Sequence, residues 1–320
     1  MKERRLLSQL IAASLIGVFA LGAQAAKVLE PDDDEPDLVP SGKGWGERAT
    51  PTPGYVTHGN GNAKPGGGGP GGPSNGIDYH GGPVMLGTTN VYYIWYGNWA
   101  GNTATTILAD LASSIGGSPY FNINTTYFNG SNVHVSNSVQ YAGSTTDSYS
   151  KGTALSDAAI QAVVSDAITS KRLPTDTNAV YFVLTSQDVN ATSGFCTQYC
   201  GWHTHGTIGS KNIKYSFVGN PDRCPSSCAA QTISPNGNAG ADGMASIIAH
   251  ELEEAVTDPD LNAWYDRRGY ENADKCAWTF GTEYNASGGG SANMKLGTRD
   301  YLIQRNWVNA SGGYCATAYP

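Results

Sequence analysis

Residues 91–115 read VYYIWYGNWAGNTATTILADLASSI, and two periodicities meet in them. Val91 to Trp99 is an aromatic and β-branched run, which suits a buried strand. Asn102 to Ile115 then places Ile107, Leu108, Leu111 and Ile115 at helical spacing, and Gly116-Gly117 stops the helix. The same alternation recurs downstream. Thr126 to Tyr141 alternates like a hairpin or meander, and Ser156 caps a helix with Ile160, Val163, Val164, Ala167 and Ile168 on one face, ending before Pro174. Ala179 to Leu184 and Lys214 to Val218 read as further buried strands. A third helix starts near Asp242 or Gly243, turns Met244, Ile247, Ile248, Leu252 and Ala255 inward and ends before Pro259. Strands alternating with helices predict an α/β fold with a mixed sheet, with α+β as the alternative. No internal repeat is visible.

The chain has 320 residues, 39% hydrophobic and 14% charged, with 41 Gly and a net charge of −8. An acidic chain without a Lys/Arg block lacks the electrostatic footprint of phosphate-backbone binding, so nucleic acid is not an expected partner. Residues 1–25 have the layout of a cleavable secretory signal: basic Lys2, Arg4 and Arg5, apolar Leu6 to Leu21, and the small-x-small exit Ala23-Gln24-Ala25. Polar Ser8, Gln9 and Ser14 interrupt a run already short for a bilayer span, so no membrane span is expected. Loss of this segment leaves 16 basic and 26 acidic side chains. The expected location is secreted or extracellular, with the periplasm as the alternative. Residues 26–77 are acidic and then Gly/Pro-rich, a composition that cannot bury enough apolar area to offset its ordering entropy, and read as a disordered linker. Residues 78–320 form the folded body, long enough for one sizeable core.

Six cysteines remain: Cys196, Cys200, Cys224, Cys228, Cys276 and Cys315. In an exported chain they predict three disulfides, with Cys276 and Cys315 paired by elimination. The two Cys-x-x-x-Cys pairs leave a four-thiolate structural zinc as the alternative.

The third helix carries His250-Glu251-Leu252-Glu253-Glu254. Residues four apart share a helix face, so His250 and Glu254 can offer an imidazole nitrogen and a carboxylate oxygen to one ion. Glu251 stands where it can take a proton from an attacking water. This is the metalloprotease His-Glu-x-x-His helix with the second His replaced by Glu, a harder and more negative set that suits zinc and leaves manganese or calcium open. Glu271, 17 residues beyond Glu254, is the preferred third ligand over Asp260, with Asp258, Asp266 and Asp274 as partners that orient ligands. The competing reading is a solvated acidic helix face. His203 and His205, in Cys200-Gly-Trp-His-Thr-His-Gly, alternate like a strand; His203 is a further site candidate, as a ligand or as an electrophilic group beside the metal. No Gly-x-Ser-x-Gly elbow, phosphate-binding loop or dinucleotide fingerprint is present, which leaves esterase, nucleotide hydrolase and dehydrogenase readings without support.

Five separated motifs occur in order with the cysteines: His80-Gly-Gly-Pro-Val84 with Val91 to Gly97; Gly194-Phe-Cys196 with Cys200-Gly-Trp-His203; Gly219-Asn-Pro221 with Cys224 and Cys228; Ser234-Pro-Asn-Gly237 with Asp242-Gly-Met244; and Arg299-Asp-Tyr-Leu302 with Cys315. Together they resemble the EXORDIUM or phosphate-induced protein 1 family. The resemblance implies an extracellular or cell-wall protein without a settled biochemical activity. The segment from His250 to Asp258, with Glu271, looks more like bacterial relatives with a metalloprotease-like helix, which implies a zincin-like scaffold. The function expected is therefore a secreted zinc-dependent peptidase, with His250, Glu254 and Glu271 as ligands and Glu251 as general base. The alternative is a non-catalytic extracellular protein that binds polysaccharide or a surface partner, with Trp202, Tyr265, Trp278 and Trp307 stacking on sugars.

Overall fold

Strand β1 (Thr89–Tyr96) is buried along nearly its whole length, and so is β3 (Ala179–Thr185). Such runs lack polar alternation because helices cover both faces of the sheet they occupy. The computed structural model describes residues 39–43 and 76–320. The expected secretory signal and most of the expected linker lie outside the described residues.

The central sheet has five strands: β1, β2 (Val139–Asp147), β3, β4 (Gly201–Ile208) and β5 (Lys211–Val218), in the spatial order β2-β1-β3-β5-β4. The pairs β1–β2, β1–β3 and β3–β5 are parallel, whereas β4 runs antiparallel to β5 and closes one edge. The sheet is thus mixed, as expected, within an α/β arrangement. Helix α1 (Ala104–Ser114) connects β1 to β2, and α2 (Asp157–Thr169) crosses back from β2 to β3. Right-handed crossovers in opposite directions put these two helices on opposite faces. Ser156 caps α2 by accepting from Ala159 N at 3.2 Å.

The segment read as a hairpin or meander divides differently. Phe121–Thr126 is a 3-10 turn, Phe128 and His134 form one antiparallel bridge, and the sheet strand begins only at Val139. Strand β2 is an edge strand with a Gly-Ser-Thr-Thr stretch and no apolar run, so it carries little strand signal.

Helix α3 (Ala239–Thr257) follows β5. It starts three residues earlier than expected, because Asn238 is the N-cap and accepts from Ala241 N at 3.0 Å. The Ser234-Pro-Asn-Gly237 motif builds this cap: Ser234 donates to Asp242, and Asn236 Nδ2 donates to Asp242 Oδ1 at 2.6 Å. Asp258 ends the helix, just ahead of Pro259.

Three disulfides are formed: Cys196–Cys224, Cys200–Cys228 and Cys276–Cys315. The first two connect the Cys-x-x-x-Cys pairs in parallel, each across 28 residues, which removes the four-thiolate zinc alternative. Among the described residues, no helix is long and apolar enough to cross a membrane.

Candidate metal centre

Helix α3 is buried on every side, which excludes the solvated-face reading. A helix carrying His250, Glu251, Glu253 and Glu254 inside a protein needs polar partners for each group, since an uncompensated buried charge is costly. The faces solve this differently.

Glu253 turns into a neutral hydrogen-bonded pocket. Tyr120 Oη donates to Glu253 Oε2 at 2.8 Å, and Asn124 Nδ2 lies 3.5 Å from Oε1. Asn272 and Asn306 extend the network through Asn124 Oδ1 at 3.3 and 3.2 Å. Burial pushes the Glu253 carboxyl well above its usual range.

The opposite side is a cluster with too few hydrogen bonds. His250 Nε2 stands 3.1 Å from Glu254 Oε1 and 3.6 Å from Asp274 Oδ1. Although the first distance is short, among the described residues Nε2 makes no hydrogen bond of acceptable angle, and Asp274 Oδ1 accepts no hydrogen bond. On the other side of Glu254, His203 Nε2 lies 3.7 Å from Oε2 and 3.2 Å from both carboxylate oxygens of Glu271. Two sets of potential ligands result, His250–Glu254–Asp274 and His203–Glu254–Glu271, with the donor atoms of each within 4.8 Å of one another. Both carboxylate oxygens of Glu251 and Oε2 of Glu254 are also buried without hydrogen-bond partners.

Three elements position these groups. The i, i+4 spacing of α3 aligns His250 with Glu254. Strand β4 brings His203, held by the Cys200–Cys228 bridge three residues upstream. The loop after α3 brings Glu271 and Asp274, anchored by Cys276–Cys315. Asp274 N donates to Glu254 Oε1 at 3.1 Å, and Glu271 N donates to Asp274 Oδ2 at 3.3 Å, so the loop backbone is tied to the helix.

Electrostatics follow from burial and crowding. Burial pushes the carboxyls of Glu251, Glu254 and Glu271 upward, and neighbouring acids push them further. Burial alone would lower the His250 imidazole, but Glu254, Asp274 and Glu251 raise it well above its usual value. Burial holds His203 down to about 4, so it is a neutral imidazole at neutral pH. A neutral imidazole is the form that binds metals.

Of the residues singled out in the sequence, His250 and Glu254 come together, while Glu271 stands with His203. Asp274, read as an orienting partner, lies at ligand distance beside His250. Asp260 is elsewhere: it accepts from Asn212 Nδ2 at 3.0 Å and lies 3.5 Å from Lys214 Nζ. Asp266 accepts from the backbone of Arg268 and Tyr270 and pairs with Lys275 at 3.2 Å. Asp258 accepts from Asn262 N and Ala263 N, both at 2.6 Å, and shapes the turn. His205 is partly exposed, 3.7 Å from Asp260.

Two of the aromatics offered as sugar platforms are buried. Trp202 stacks on Phe217 at 6.0 Å, and Tyr265 stacks on His80 at 3.6 Å. Neither presents a face to a glycan.

The family described as Phosphate-induced protein 1 conserved region matches residues 77–300. Protein EXORDIUM-like 3 of Arabidopsis thaliana is 32% identical over 279 residues, covering 75% of this chain and 82% of the relative. Protein EXORDIUM-like 5 of the same plant is 33% identical over 269 residues, covering 74% and 72%. Protein PHOSPHATE-INDUCED 1 of Nicotiana tabacum is 28% identical over 221 residues, covering 59% and 67%. No solved structure matches the chain.

Proposed function

The chain belongs to the phosphate-induced protein 1 family, and from that premise we propose that it is a secreted metal-dependent peptidase, a member of bacterial type that retains a metalloprotease-like helix in a zincin-like domain over residues 78–320. The observation that carries the reading is the set of buried donor atoms without partners: His250 Nε2, Glu254 Oε2 and Asp274 Oδ1. Native proteins satisfy nearly all such groups, and cation binding within the cluster would supply the missing partners. His250, Glu254 and Asp274 would hold the ion, with Glu271 reaching the same helix from beyond Glu254. A set of one imidazole and carboxylates fits zinc and also accepts manganese.

When bound, the ion supplies a Lewis acid that polarises a carbonyl. Glu251 accepts a proton from the attacking water as the water oxygen bonds to the carbonyl carbon. The C–N bond breaks, and Glu251 returns the proton to the departing nitrogen.

A peptide substrate is favoured by the edge of the sheet beside this centre. Among the described residues, strand β4 pairs with another strand, β5, on one side only, and its His203 N–H donates outward to Gly42 O at 3.2 Å. A stretch of peptide backbone already rests on that edge, which is how extended peptides add to sheets.

Elemental analysis of the purified protein beside its His250→Ala variant tests the reading. About one or more equivalents of zinc or manganese in the wild type, with less metal and no chelator-sensitive peptide hydrolysis in the variant, is the expected result. Activity that survives removal of the metal overturns it.

A further inference from the structure

We infer that the buried cluster holds two metal ions, with the Glu254 carboxylate bridging them. One ion sits with His250 and Asp274, and the other with His203 and Glu271. The inference rests on the metal-dependent reading above and adds the number and arrangement of the ions.

The donor atoms divide into two groups that share Glu254 alone, and the two histidines never fall in one group. Ligands of a single tetrahedral zinc lie about 3.4 Å apart, given bonds of about 2.1 Å, so one ion does not draw on both histidines as they stand. Glu254 sits between the groups with its oxygens divided. Oε1 is 3.1 Å from His250 Nε2, and Oε2 is 3.7 Å from His203 Nε2. A bridging carboxylate gives one oxygen to each ion in this way, and paired ions about 3.5–4 Å apart recur in hydrolytic centres.

Unmade hydrogen bonds point the same way. On the His250 side, Nε2 and Asp274 Oδ1 are unpartnered, and Glu254 Oε2 is unpartnered toward His203. All belong to side chains at most 2% exposed. Charge agrees as well, because Glu251, Glu254, Glu271 and Asp274 crowd two imidazoles, an excess that two divalent ions offset more fully than one. Lys275, next to Asp274 in sequence, turns away to Asp266 at 3.2 Å.

The test is to load the purified protein with Zn²⁺ or Mn²⁺ alone, desalt it and count the metal. Two ions per chain are expected, and the Mn²⁺ form should give the electron paramagnetic resonance signal of an exchange-coupled pair. His203→Ala and His250→Ala should each keep one ion and lose the coupled signal, with circular dichroism confirming the fold. Should a variant unfold, the wild-type count and the coupled signal still decide. One ion in the wild type, retained by His203→Ala, overturns the two-ion centre and leaves the peptidase reading standing. Two ions without coupling overturn the Glu254 bridge. No metal in the wild type overturns both readings.

Discussion

At Gly201 an added methyl group would come within 2.5 Å of Ile247 Cγ2 and 3.0 Å of Glu251 Oε1. The missing side chain is what lets α3 approach β4 closely enough to bring its carboxylates toward His203. Gly201→Ala should therefore cost about 1–3 kcal/mol by overpacking, read as a lower midpoint in urea unfolding. Wild-type stability would show slack between helix and strand. Asp258 carries a pH prediction. Burial holds its carboxyl up at about 8, despite two backbone N–H donors. Between its unfolded value of about 4 and that folded value, the native state binds the extra proton, so stability falls as pH rises through this window. Asp258→Asn keeps an oxygen for both donors and removes the titration. Its melting temperature relative to wild type should rise from pH 5 to pH 9, and a constant difference would refute the assignment. The sequence makes the helix-borne half of the site legible, because His250 and Glu254 are related by helical spacing alone. His203 and Asp274 were not legible as one cluster with them, because what joins them is a strand crossing and a disulfide-held loop.

The elements show the same division. Strands β1 and β3 and helices α1 and α2 announce themselves because each buries a long apolar run or stripe in a recognisable period. Strand β2 does not, since at the sheet edge its hydrogen bonds come from β1 while its side chains stay partly in water. Strand β4 was visible only as the alternation of His203 and His205, and its place beside α3 depends on its reversal against β5. The Cys200–Cys228 bridge fixes the start of β4 and closes a 28-residue separation, a loop whose closure limits the unfolded chain by about 3–4 kcal/mol. The double variant Cys200→Ser/Cys228→Ser should lose about that much stability and also bind metal more weakly, because His203 is freed to move. Equal metal affinity in a destabilised variant would show that β5 alone sets the position of His203.

Over the whole molecule, the topology brings residues 39–43 to the sheet edge beside the cluster. The order β2-β1-β3-β5-β4 leaves β4 antiparallel at an edge, and that edge is next to the cluster. Val39 to Lys43, within the segment whose composition reads as a linker, is seated on it. Gly42 takes the His203 N–H, and its φ of +68° with only 2.0 Å from an added Cβ to His203 O leaves no room for a side chain. Lys43 fastens the segment through Asp157 at 2.5 Å and lies 5.2 Å above the Trp202 ring. On the proposed peptidase reading, an incoming peptide that adds to the same edge has to displace this stretch, and the chain's own backbone would then compete with it. Gly42→Ala should loosen the segment, because the methyl group meets backbone that cannot yield. The expected outcome is a several-fold rise in kcat/KM on extended peptides, with a stability loss of about 1–3 kcal/mol from one buried backbone hydrogen bond. Trp202 fluorescence, which senses whether Lys43 is in place, reports displacement independently of activity. A shifted emission with unchanged turnover would mean that substrate does not use the β4 edge.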